Sequence, residues 1–131
     1  MESLLYVGIG GFFGAIARYL LSLRADALLV PRWGMFPYGT LIVNILGSFG
    51  FAIFGVWFSA RTGMTPQMRL LVGSGFFGAF TTFSTFANES VTIFSGGALG
   101  LTMLNVFLNN SLCLLGAAVG LFLGHRLFSG I

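Results

Sequence analysis

Four apolar stretches, each long enough to cross a bilayer, occupy almost the entire chain. A helix needs about 20 apolar residues to span the hydrocarbon core. The stretches fall at residues 4–23 (LLYVGIGGFFGAIARYLLSL), 38–58 (YGTLIVNILGSFGFAIFGVWF), 68–94 and 99–128. The connections hold the punctuation: Pro31 and Pro37 with Arg24, Asp26 and Arg32; Arg61, Gly63 and Pro66; then Ser95, Gly96 and Gly97. Asp26 is accordingly placed in a loop. The first stretch has no basic leader and no small-residue cleavage site, so it reads as a retained span. The expected fold is all-α: one four-span transmembrane domain over residues 1–131, with Trp33, Tyr38 and Trp57 near span ends, where amphipathic rings favour the interface.

The few charges narrow the function. Charged residues make up 7% of the chain, against about a quarter in soluble domains. All six cations are arginines, scattered singly at Arg18, Arg24, Arg32, Arg61, Arg69 and Arg126. Binding nucleic acid needs clustered cations, so that class is set aside. One cysteine, Cys113, excludes an internal disulfide and a multi-cysteine metal site. Ser, His and Asp occur in no nucleophile–base arrangement, and the chain reads as a non-enzyme. An even number of spans puts both termini on one side, with Arg61, Arg69 and Arg126. Arg24 and Arg32, with Arg18 close by, mark the other side. The positive-inside rule needs a clear excess, and this near balance predicts insertion in both orientations, which allows an antiparallel dimer. A bundle of four helices encloses little volume, so a solute pathway is more easily built between copies.

Within the spans, small and polar residues carry the information. Gly116, Gly120 and Gly124 share one helix face, and Gly10 with Gly14 make a shorter stripe; both predict close helix packing. Arg18 lies inside the first span, about one turn from its end, and reads as a structural cation. Thr40 and Asn44 share a face of the second span. In the fourth, Asn105, Asn109 and Cys113 recur every four residues, with Asn110 and Ser111 widening the face. Such stripes either join helices by hydrogen bonds or line a wetted pathway. Glu89 is the one carboxylate placed within a span, past the centre of the third.

That third span contains GSGFFGAFTTFSTF, residues 73–86. Gly73, Gly75 and Gly78 weaken helix by about 1 kcal/mol each. Thr81, Thr82, Ser84 and Thr85 can bond back to the preceding turn and loosen it. The pattern predicts a helix broken near mid-membrane, where free backbone groups survive only when buried in protein or lining a wet cavity. Phe83 and Phe86, three apart, point one way if the following segment is helical, with Phe80 beside them. Ring edges are positive and suit a small anion; packing or lipid contact is the alternative.

Three motifs then identify a family. Gly78-x-x-Thr81-Thr82-Phe83-Ser84-Thr85-Phe86 followed by Glu89, Gly39-Thr40-Leu41-Ile42-Val43-Asn44, and Gly14-Ala15-Ile16-Ala17-Arg18 resemble, in order and spacing, those of the Fluc-type fluoride channels, the CrcB family. The resemblance covers the whole chain. It implies a fluoride-selective channel in the cell's inner or plasma membrane, passively exporting cytoplasmic fluoride through two pores of an antiparallel homodimer. It implies a structural sodium ion at the dimer centre, held by the Gly78 and Thr81 backbone carbonyls of both copies. The pore phenylalanines map to Phe83 and Phe86, the pore asparagine to Asn44, and the nearby hydroxyls to Ser84 and Thr85. The fourth-span polar track maps to Asn105, Asn109 and Cys113, where other members carry Tyr, His, Ser or Thr. Arg18, Thr40, Thr82 and Glu89 are left as structural polar groups. Two other classes stay open: a small multidrug-type proton-coupled exporter, whose carboxylate lies in a first span that here has none after Glu2, and a non-conducting membrane interaction protein.

Overall fold

The computed structural model describes residues 2–61 and 65–128; Gly63, read above as turn punctuation, lies outside the described residues. The described secondary structure is entirely helical: α1 Glu2–Trp33, α2 Tyr38–Ala60, α3 over residues 66–80, α4 Phe83–Ser95 and α5 Leu99–Phe128. Helices α1, α2 and α5, and the Pro66–Ser95 segment that α3 and α4 share, are long and apolar enough to cross a membrane. The chain is thus a multi-pass membrane protein of four helical spans.

Helix α1 outruns its apolar stretch. Span length is set by hydrocarbon thickness, but helix length is set by local winding, and Arg24 and Asp26 do not oppose winding. The helix therefore continues to Trp33, with Pro31 inside its last turn. It stops at Gly34, whose φ of 90° is left-handed and whose N–H donates to the Val30 carbonyl at 3.0 Å, the usual glycine terminus. Asp26 is thus on a helix and not in a loop, and Arg18 stands near the middle of that helix. From that helix Asp26 Oδ1 accepts the Gly39 N–H at 2.8 Å. Pro37 supplies no side-chain cap to α2, so a carboxylate from the neighbouring helix satisfies one of the amides left open there.

Packing follows the glycines. At the α2–α5 contact a Cβ on Gly120 would stand 2.5 Å from the Phe49 carbonyl oxygen, and one on Gly124 would stand 2.9 Å from Val56 Cβ. At the α1–α3 contact, Cβ atoms on Gly10 and Gly14 would collide with the Leu71 and Phe76 carbonyls. Both expected stripes are therefore surfaces of backbone approach. The carbonyls facing α1 belong to an unusual segment: Arg69–Phe77 within α3 is wound as a π-helix, and the Gly78 N–H reaches back to the Gly73 carbonyl. Thr65 caps the start of α3.

After Phe80 the backbone turns extended for two residues, Thr81 (φ −80°, ψ 155°) and Thr82 (φ −149°, ψ 106°). Helix α4 then begins, with the Thr82 hydroxyl accepting the Thr85 N–H at 3.2 Å as its N-cap. The most enclosed side chains are Val43 of α2 and Asn105 of α5. The polar centre of the molecule thus lies where α2, α4 and α5 meet.

Candidate functional site

The site is built outward from Asn44. Its Oδ1 accepts the Thr82 N–H at 2.8 Å, and its Nδ2 donates to the Thr82 carbonyl at 3.1 Å and to Asn109 Oδ1 at 3.2 Å. One side chain therefore satisfies both backbone groups of an extended residue, inside an apolar molecule where open backbone groups are costly. The consequence reaches one turn back. In a continuous helix the Thr82 N–H would bond the Gly78 carbonyl; here Asn44 takes it, and that carbonyl loses its usual donor.

The network continues into α5 and α4. Asn109 Nδ2 donates to Asn105 Oδ1 at 2.8 Å, Asn105 Nδ2 donates to Ser90 Oγ at 3.0 Å, and Ser90 Oγ donates to the Phe86 carbonyl at 2.8 Å. Asn105 is 0% exposed. Asn110 and Ser111 bond the Val106 and Phe107 carbonyls of their own helix, so they stand apart from this chain of side chains. One turn before Asn44 on α2, Thr40 Oγ1 donates to Glu89 Oε1 at 2.7 Å, while Glu89 Oε2 is buried with no hydrogen-bond partner.

Phe83 and Phe86 meet edge to face, with centroids 5.4 Å apart and planes at 62°. Phe86 is buried at 7% exposure, and Phe83 is 75% exposed on the single chain. Phe80 does not join them. It stacks on Phe76 at 5.6 Å, because the extended pair interrupts the helical spacing on which the expected three-ring face relied. Thr82 Oγ1 donates to Thr85 Oγ1 at 2.8 Å; a hydroxyl has one hydrogen, so that of Thr85 stays available.

An open cavity of about 1010 Å³ runs along this centre. Asn44, Gly78, Thr81, Thr82, Phe83, Phe86, Asn109 and Cys113 all line it. Ser84, Thr85 and Asn105 lie outside the lining. The sequence reading placed Asn44 and Phe83 in the site, but it missed that Asn44 clamps Thr82. An Asn inside an apolar span must find a partner, which was the available signal; which backbone group it finds depends on tertiary placement.

The sequence also matches, over residues 5–121, the model of a family described as CrcB-like protein, camphor resistance. The chain belongs to the CrcB-like family. Among its relatives, a Koribacter versatilis protein is 47% identical over 110 residues, covering 84% of this chain and 85% of its own length. A Bacteroides fragilis protein is 39% identical over 126 residues, covering 96% and 98%. A Sulfurovum protein is 42% identical over 125 residues, covering 95% of both. Each of these CrcB-like relatives bears the name fluoride-specific ion channel FluC.

Proposed function

We propose that this protein is a fluoride-selective channel that lets cytoplasmic fluoride leave the cell passively, through two pores of an antiparallel homodimer in the inner or plasma membrane. The observation that carries the reading is the juxtaposition of an extended backbone pair, its asparagine clamp and the Phe83–Phe86 edge pair along one cavity. The names of the relatives agree with it.

The extended pair Thr81–Thr82 is read as the interruption of one membrane span, Pro66–Ser95, near mid-bilayer. Backbone at that depth must be covered or wetted. On a single chain Phe83, Ser84 and Thr85 are exposed, and hydroxyls facing lipid are unfavourable. A second, inverted copy laid over this face covers them and closes the open cavity into conduits.

Fluoride is small and strongly hydrated, so a pore must replace its water with donors. Thr85 and Ser84 supply hydroxyls, and the positive edges of Phe83 and Phe86 add weak attraction in a dry passage. The Asn44 amide is engaged by Thr82 and Asn109; it offers a hydrogen to the ion only by releasing one of them. Asn109 stands behind it, and Asn105 braces Asn109. Shared, individually weak contacts suit conduction, because an ion held too well does not leave. An inside-negative potential drives the anion outward, by about 2.3 kcal/mol per charge per 100 mV.

A sodium ion at the dimer centre fits the residues present. The Gly78 carbonyl is released from its helical donor by the Asn44 clamp, and ψ of 155° turns the Thr81 carbonyl away from helical alignment. A Cβ on Gly78 would meet nothing nearer than 3.9 Å, so no neighbouring side chain crowds that Cα. These carbonyls, two per copy, would hold the ion, which supplies fixed positive charge at the interface.

The deciding experiment is fluoride efflux from liposomes holding the purified protein, read by a fluoride electrode beside a parallel chloride measurement. Fluoride flux without chloride flux, indifferent to a proton gradient, is expected. No flux above empty liposomes returns the non-conducting interaction protein, and drug efflux tied to the proton gradient returns the exporter. No acid lies among the cavity-lining residues, which weighs against the latter.

A further inference from the structure

The cavity has one charged lining residue, Arg69. Its side chain is exposed, at the start of the π-helical segment. The same end of the cavity is lined by Phe58 and Ser59, close to the C-terminus of α2 at Ala60. From Arg69 to the extended pair at Thr81 the helix climbs at most roughly 18 Å, a little over half of a hydrocarbon core about 30 Å thick. The guanidinium thus stands at a mouth while the aromatic pair stands near the middle. The two carboxylates fixed to α2, Asp26 through Gly39 and Glu89 through Thr40, gather at the opposite end of that helix. Nothing negative in the lining offsets the arginine.

We infer that Arg69 is an anion-recruiting residue of the conduction pathway: it raises the local fluoride concentration at one mouth of the cavity without contacting the ion in the constriction. The inference rests on the channel reading above. A cleft with low-dielectric walls focuses the field of a lone charge.

The test is initial fluoride flux in reconstituted liposomes at millimolar fluoride, for the wild type, Arg69→Gln, Arg69→Lys and Arg69→Glu. Each is measured at about 10 mM and at about 1 M potassium isethionate, where the Debye lengths are about 30 Å and 3 Å. At low salt Arg69→Gln is expected to lose about two- to fifteenfold, the span for one unit charge acting over about 10 Å at effective dielectric constants from 80 to 20. Arg69→Glu loses more and Arg69→Lys stays near the wild type. At high salt, and at saturating fluoride, the four converge. Equal low-salt flux for wild type, Gln and Glu overturns the assignment while leaving the channel reading intact. A deficit that persists unchanged at 1 M salt also overturns it, since a packing defect is not screened. A wild type that carries no fluoride overturns the channel reading and the assignment together. Should the Gln variant fail to assemble, the Lys–Glu comparison decides the same question.

Discussion

Asn44 holds Thr82 by both of its backbone groups, and this makes the residue structural before it is anything else. Asn44→Leu leaves a buried amide and a buried carbonyl unpaired, at about 1–3 kcal/mol each; a thermal midpoint in detergent well below wild type is expected. An unchanged midpoint would mean that Thr82 finds another partner. The two phenylalanines should separate by the same logic. Phe83 is 75% exposed on one chain and Phe86 is 7% exposed, so Phe83→Ile should spare the fold. It removes an edge contact of about 0.5–1.5 kcal/mol, and the fluoride flux should fall about two- to tenfold with the dimer intact on size exclusion. Full flux would take Phe83 out of the pathway. At this scale the sequence was partly legible. An Asn among apolar residues and a Phe pair three apart announce themselves, because each has an unusual cost or spacing. That Asn105 turns to Ser90 and braces Asn109 was hidden, since it depends on how α4 and α5 meet.

Among the elements, the long apolar helices were the most legible part, because hydrocarbon thickness imposes a length that composition reveals. The end of α1 was not. Pro31 and Asp26 look like punctuation, yet proline is tolerated in a last turn that Gly34 closes. Asp26 caps α2 from the neighbouring helix. Asp26→Ala should cost about 1 kcal/mol and speed hydrogen exchange at the Gly39 amide, while amides in the middle of α5 keep their rates. Equal exchange at Gly39 would remove the cap. The π-helical winding of Arg69–Phe77 left no signal beyond its glycines, whose low helix propensity permits several windings without choosing one.

For the whole molecule, the balance of arginines suggested two orientations, and the uncovered face around Phe83, Ser84 and Thr85 gives an inverted pair something to bury. In a Cys113→Ser background, Thr65→Cys places a lone thiol at an exposed position directly before Pro66. An impermeant maleimide applied to sealed vesicles should label about half of the protein, and the rest only after lysis. Labelling confined to one side would exclude the inverted pair. The lone guanidinium at one mouth of the cavity has an electrical corollary for such a pair. On the proposed reading, each conduit by itself would be a weak diode, passing current more readily in one sense. Two conduits pointing opposite ways sum to a current–voltage curve symmetric about zero. A tandem dimer with Arg69→Gln in only one half should break that symmetry and rectify.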